Sequence, residues 1–233
     1  MAQVRDDPPP IEEIRAALRP HGLFLRGSFD FTDGETVPAL ADGRPAAGVV
    51  LVGNIGGSMW AAFSAWREGQ RDRGGSDPLD TWSKAVIGPV AHRFGGTAWF
   101  PSDQPWQPFQ QWAMRSEAMR PSPLGILIHP VYGLWHGYRG ALGFASASES
   151  PAPRARTHPC DACAFKPCIS HCPASALTIG GFDVGRCRSH LATSEGRTGC
   201  LDGGCLARSA CPVGSGYRYG AEQIRFHMAA LDV

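Results

Sequence analysis

All eight cysteines of this 233-residue chain lie between Cys160 and Cys211. They run Cys160-x2-Cys163-x4-Cys168-x3-Cys172-Pro173, then a solitary Cys187, then Cys200-x4-Cys205-x5-Cys211-Pro212. Eight thiols make two sets of four, and sets of four thiolates hold iron–sulfur clusters or zinc. A bacterial ferredoxin run reads C-x2-C-x2-C-x3-C-P, with its fourth cysteine on the other cluster of the pair. The same crossover here assigns Cys160, Cys163, Cys168 and Cys211 to one 4Fe-4S cluster, and Cys172, Cys187, Cys200 and Cys205 to the other. Pro173 and Pro212 would turn the chain away from each cluster. The longer spacings after Cys163, Cys200 and Cys205 depart from the ferredoxin run. They leave open a pair of zinc sites, or one cluster with four spare thiols. His158, His171 and His190 stand near ligand positions and are read as surface or neighbouring groups ahead of metal ligands.

Iron–sulfur clusters only relay electrons, so the chemistry needs a second group, expected on residues 1–145. The net charge of +1 is spread along the chain, and only Lys84 and Lys166 among the 22 basic residues are lysines. That leaves neither a polybasic nor an acidic tail, so charge alone names no partner, and no nucleic-acid partner is expected. The N-terminal MAQVRDDPPP has no apolar h-region, and no later run approaches the ~18 to 20 apolar residues of a membrane span. The expectation is a cytoplasmic protein without a membrane partner, in a compartment where thiols serve as ligands instead of forming disulfides.

The elements that must position these groups follow from periodicity. Ile11, Ile14, Ala17 and Leu18 share a helical face, HGLFLRGSF reads as a strand, and GVVLVG over Gly48 to Gly53 reads as a buried one. Met59, Ala62, Phe63 and Trp66 form the face of a following helix. Asp77 and Pro78 suit the cap and first position of a helix reaching Phe94, with a kink or early stop expected at Pro89. TAWF predicts a short strand, Trp106 to Met119 a helix, and LGILIHP and GLWHGYRGALGF two strands. Residues 146–158, rich in Ser, Pro and Arg, predict a linker between a 1–145 domain and a 159–233 domain, the latter closing on a helix from Ala221 to Leu231.

The segment His129-Pro130-Val131-Tyr132-Gly133-Leu134-Trp135-His136-Gly137-Tyr138-Arg139-Gly140 resembles the HPxxGGWFxxRG stretch of CblC-type cobalamin-processing proteins. DPLDTW at Asp77 to Trp82 is similar to their DPVDQC helix start. LGILIHPVYGLW also resembles the G-x-L-x-x-YGSW region of epoxyqueuosine reductases and reductive dehalogenases, and Cys187 in GRCRSHL resembles their solitary cluster cysteine. The resemblance implies an α+β fold: a nitroreductase-like cobalamin-binding domain followed by a small ferredoxin-like domain with two 4Fe-4S clusters. It implies cobalamin contacts from His129 and Gly133, which would lie against the displaced base and tail. It further implies them from Pro130, Tyr132 and Trp135, and from Gln111 and Trp112 on the preceding helix. Two features of those relatives, the helical-repeat domain of the queuosine enzymes and the twin-arginine signal of dehalogenases, have no counterpart in this sequence.

The function this implies is an iron–sulfur cobalamin reductase that binds cobalamin base-off and removes its upper ligand, cyanide or an alkyl group. The electrons would come from an external low-potential donor: a flavodoxin, a ferredoxin or a flavin reductase. Two alternatives stand beside it. One is a corrinoid-dependent reductase of an organic substrate, with Asp103, Glu117 and Tyr138 as candidate proton donors. The other is a non-catalytic ferredoxin-type carrier or cobalamin chaperone. A flavin is a further cofactor option, but Gly53, Gly56 and Gly57 form only a weak glycine pattern. For Trp60, Trp66, Trp82 and Trp99 core packing is expected ahead of cofactor contact, whereas Trp106, Trp112, Tyr132 and Trp135 are balanced between the two roles.

Overall fold

The computed structural model describes residues 8–148 and 157–231. Residues 149–156, most of the expected linker, lie outside them. The chain divides into two compact units, Met1–Ala118 with Gly137–Arg154, and Met119–His136 with Ala155–Val233. Chain order alone would have left residues 119–136 with the first unit. Among the described residues no helix is long and apolar enough to cross a membrane.

In the first unit, α1 (Ile11–Leu18) precedes β1 (Phe24–Asp30) and β2 (Gly48–Ile55). Helices α2 (Trp60–Glu68) and α3 (Pro78–Arg93) follow, then β3 (Thr97–Trp99) and α4 (Phe109–Glu117). The sheet order is β1-β2-β6-β3, with β6 formed by His136–Phe144. Strand β2 is apolar at nearly every position because it is an inner strand. Val49, Val50, Leu51 and Val52 are all buried, as a strand covered on both faces requires. Antiparallel pairing joins β1 to β2 and β3 to β6. Phe63, Trp82 and Ile87 from α2 and α3 complete the core.

Helix α3 runs on through Pro89 to Arg93 instead of stopping there. Pro89 sits on the exposed side, as does Ala85, whose freed carbonyl reaches water. The helix expected from Trp106 spans only Phe109–Glu117. Pro108 precedes its first turn, Ala118 ends it in the left-handed region at φ 52°, and Trp106 stays outside and exposed.

The second unit begins with a two-residue ladder, β4 (Arg120–Pro121) against β5 (Leu127–Ile128). The strand expected over LGILIHP thus shrinks to Leu127 and Ile128. Pro130 has no N–H to offer a ladder, and the chain turns instead, with His129 and Gly133 exchanging both backbone hydrogen bonds at 2.9 Å. Beyond the described gap come α5 (Pro167–Ser170), the hairpin β7 (Leu177–Thr178) and β8 (Gly181–Phe182), and α6 (Val184–Leu191). A short α7 (Ser194–Gly196) runs into a π-helical turn, Arg197–Leu201, followed by α8 (Leu206–Ser209) and α9 (Ala221–Ala229).

Candidate functional site

The eight thiols fall around two cavities of the second unit. Cys160, Cys163, Cys168 and Cys211 line a narrow one of about 20 Å³. Cys172, Cys187, Cys200 and Cys205 line one of about 300 Å³ whose remaining walls are mostly apolar. Electrostatics groups them the same way. Burial first, then the neighbouring Cys211, Cys168 and Cys163, push the Cys160 thiol up to about 11. Burial likewise raises Cys187, with Cys205, Cys172 and Cys200 adding to it. Cys168, Cys205 and Cys211 are raised, again chiefly by burial.

Backbone N–H groups oppose that trend, because they are directed at sulfur. Ile169 donates to Cys168, Ala207 and Arg208 to Cys205, and Val213 to Cys211. The Ala176 N–H reaches the Cys172 Sγ at 3.4 Å. Such inward-turned amides stabilise negative charge on sulfur. Among the described residues no three His, Cys, Asp or Glu side chains converge on a point where one metal ion could sit. A tetrahedral zinc site would draw its thiolates to about 2.3 Å from such a point. In both cavities the thiols stand with amides aimed at sulfur and with no carboxylate among the lining residues.

Local sequence explains the irregular spacings. In the lengthened Cys163–Cys168 loop, Lys166 takes a left-handed backbone at φ 39° and turns its ammonium inward, donating to the carbonyls of Cys160 and Cys163 at 2.9 and 3.2 Å. Phe165 is thrown outward, 94% exposed. Cys187 rides on α6, which Asp183 caps by accepting from the Arg186 N–H. Cys200 lies in the π-helical turn and Cys205 at the start of α8, so the wider spacings span a change of helical pitch and a short helix. Of the three histidines, His158 donates to the Arg120 carbonyl and His171 Nδ1 lies 2.9 Å from the Pro167 carbonyl. His190 lines the larger cavity. Lys166 as a loop pin was missed in the sequence, where only the loop's extra length signals it.

The residues singled out by resemblance divide between the units. Gln111, exposed, and Trp112, buried, sit on α4 of the first. Trp112 packs against Trp99, Phe109 and Phe29. His129, Pro130, Tyr132, Gly133 and Trp135 belong to the second. There the His129 Nδ1 accepts from the N–H groups of Val131 and Tyr132 at 3.0 and 3.1 Å, and its ring stacks on Tyr132 with centroids 4.2 Å apart. Trp135 is 2% exposed, its ring against Tyr219 and under the Arg208 guanidinium.

The first unit contributes a buried polar cluster. Arg26, its side chain 2% exposed, makes a two-pronged bond to Glu117 at 3.1 and 3.2 Å and donates to the Asn54 carbonyl. The Tyr138 hydroxyl donates to the same carboxylate. Burial, then the Glu117 charge, drives the tyrosine well above its ordinary range, so it holds its proton. Asp103 pairs with Lys84 at the surface. A cavity of about 770 Å³ lies at the start of α3, with Asp77, Asp80, Thr81 and Lys84 in its wall.

No protein-family model matches the chain, and no curated protein matches it either. Solved structures do match, and two of them are informative. The C. elegans B12-trafficking protein CblC, a homologue of human MMACHC, superposes with TM-score 0.49 at 12% identity, over 93% of this chain and 91% of that one. A reductive dehalogenase, whose structure suggests a mechanism for B12-dependent dehalogenation, superposes with TM-score 0.56 at 15% identity. That match covers 100% of this chain and 36% of the dehalogenase, so the present chain spans about a third of that enzyme's length. The fold is α+β and similar to that part of the dehalogenase.

Proposed function

We propose that the chain is an iron–sulfur cobalamin reductase, taking electrons from an external low-potential donor and using them for reductive removal of the upper ligand of cobalamin. The observation that carries this is the gathering of eight cysteines around two cavities within a chain whose fold is similar to about a third of a reductive dehalogenase. When bound, two 4Fe-4S clusters would supply one-electron relay and cobalamin a metal able to shed its axial ligand on reduction.

The chain's own contribution is then definite. Cys160, Cys163, Cys168 and Cys211 would hold one cluster, and Cys172, Cys187, Cys200 and Cys205 the other. The amides of Ile169, Ala176, Ala207, Arg208 and Val213 would stabilise charge on the sulfurs. The cavity at the start of α3 falls in the size range of ligand clefts and has a mostly polar wall, and none of His129, Pro130, Tyr132, Gly133, Trp135, Gln111 or Trp112 lines it. Asp77 and Thr81 line it, within the stretch that resembles the helix start of CblC-type proteins.

Anaerobic reconstitution with iron and sulfide, followed by added cyanocobalamin, tests the reading. About eight irons per chain, a base-off absorbance spectrum and cyanide release on reduction are expected. An unchanged cobalamin spectrum rejects a corrinoid function. Binding without any reduction of cobalt leaves a chaperone.

A second reading is reduction of an organic substrate on cobalamin, with Tyr138, whose hydroxyl donates to Glu117, as the candidate proton donor. Under that reading Tyr138→Phe abolishes organic-substrate reduction and spares decyanation. Under the first reading it affects neither beyond its effect on stability.

A further inference from the structure

The HPVYG turn is locked against the segment that carries the last cysteine. Gly133 has φ +59°, and a Cβ there would lie 1.9 Å from the Val213 carbonyl oxygen. Gly214 has φ +70°, and a Cβ there would lie 2.2 Å from the Tyr132 carbonyl carbon. Two stretches of backbone about eighty positions apart thus touch without a side chain between them, and neither can move aside by a rotamer change. The contact falls two and three residues after Cys211.

The surroundings repeat the attachment. Ile128, Leu134 and Cys211 form one buried apolar cluster, with Cys160 and Val213 packed on it. The Arg208 guanidinium donates to the Leu134 carbonyl and lies 4.3 Å over the Trp135 ring. Tyr132 meets Tyr217 edge-on at 5.0 Å. The turn is itself held from within, since both N–H groups at its tip end on the His129 Nδ1.

We infer that His129 and Gly133 are positioning residues for Cys211, and that the turn between them backs Val213, which lines the first thiol quartet's cavity beside Cys211. The two N–H groups on Nδ1 leave the ring proton of the neutral imidazole on Nε2, so His129 acts here as an acceptor that shapes the turn. The second quartet is walled instead by the cluster of Cys168, Leu177 and Ala207, on which Cys172 and Cys205 pack, and by α6 and the π-helical turn. The turn's backbone contact is with the Cys211 segment, whereas Arg208 and Leu124 link it to the second cavity only through side chains, so damage to the turn is expected to reach the first quartet ahead of the second. This rests on the two-cluster reading only for its iron readout.

The test uses full-length Gly133→Ala, Gly214→Ala, His129→Leu and His129→Asn, reconstituted anaerobically beside the parent protein. Gly133→Ala and Gly214→Ala each lose about half of the bound iron and sulfide, keeping the low-temperature spin-resonance signal of a single cluster. His129→Leu does the same. His129→Asn, whose amide oxygen can accept the same two N–H groups, retains the parent iron content. Far-ultraviolet circular dichroism separates local from global damage. Should either glycine variant unfold, the His129→Leu and His129→Asn pair decides. Parent-level iron in His129→Leu, equal loss in His129→Leu and His129→Asn, or equal loss from both quartets overturns the inference.

If the parent binds no iron, the two-cluster reading fails but this one is still measured. In the metal-free proteins Cys160 and Cys211 of Gly133→Ala and of His129→Leu should alkylate several-fold faster than in the parent, with Cys187 unchanged. Unchanged labelling at Cys211 in both rejects the positioning role.

Discussion

At the scale of single residues, the buried Arg26–Glu117 pair is the feature most sensitive to substitution. A charge left without its partner in a buried position is far more costly than the pair is stabilising. Replacing Glu117 by Gln is therefore expected to destabilise the first unit by about 3–5 kcal/mol in urea denaturation, against about 1 kcal/mol for Tyr138→Phe, which removes one hydrogen bond. The exposed Glu35–Arg115 pair is a smaller and pH-dependent case. Hydrogen bonds from Arg115 and Thr32 hold the Glu35 carboxyl below its ordinary 4.5. Its contribution is present above that value and is lost as pH falls through the lowered one, because only the unfolded chain holds the proton in between. Thermal melts of Glu35→Gln should lie slightly below the parent at pH 7 and converge with it toward pH 3.

At the scale of elements, the crossover of cysteines between the two sets has a direct consequence. Cys211 follows Cys205 by six positions, and Cys172 follows Cys168 by four, yet each lines a cavity with distant thiols instead of its neighbour. Short α5 and α8 divert the chain between them. Cys211→Ser is expected to lower iron content together with Cys163→Ser, and Cys172→Ser together with Cys187→Ser, each to about half. A double variant within one pair should lose no more iron than a single one, whereas Cys163→Ser with Cys187→Ser should lose nearly all. Iron analysis of the four singles and three doubles decides the pairing.

For the whole molecule, the two units differ in what can hold them together. The first has a four-stranded sheet and a core containing Leu51, Phe63, Trp82 and Leu142. The second has no helix longer than nine residues among its described elements, strands of two, and small patches of buried side chains. Elements that short cannot bury enough surface to fold firmly by themselves, so bound metal would supply much of the second unit's stability. Chelation of reconstituted protein should therefore remove hydrogen-exchange protection from residues 157–231 and leave the amides of β2 and β6 protected. Equal loss in both units would contradict this.

Periodicity and composition determined much of this by themselves. The run Ile11 to Leu18, the buried Val49 to Val52, and the helix beginning at Asp77-Pro78 are local patterns of period, cap and turn, which the chain carries residue by residue. The crossover rule proposes two quartets of cysteines, and the same residues line two separate cavities. What only the tertiary structure decided depends on contacts between distant segments. Residues 119–136 leave their sequence neighbours to join the cysteine-bearing unit, the expected strand at LGILIHP shortens to Leu127–Ile128 and gives way to a turn at His129, and Lys166 pins a loop by bonding to backbone carbonyls. The close approach of Gly133 to Val213 is the plainest case. A glycine in a sequence announces freedom, and only the fold shows that the freedom is used to bring two backbones together beside Cys211.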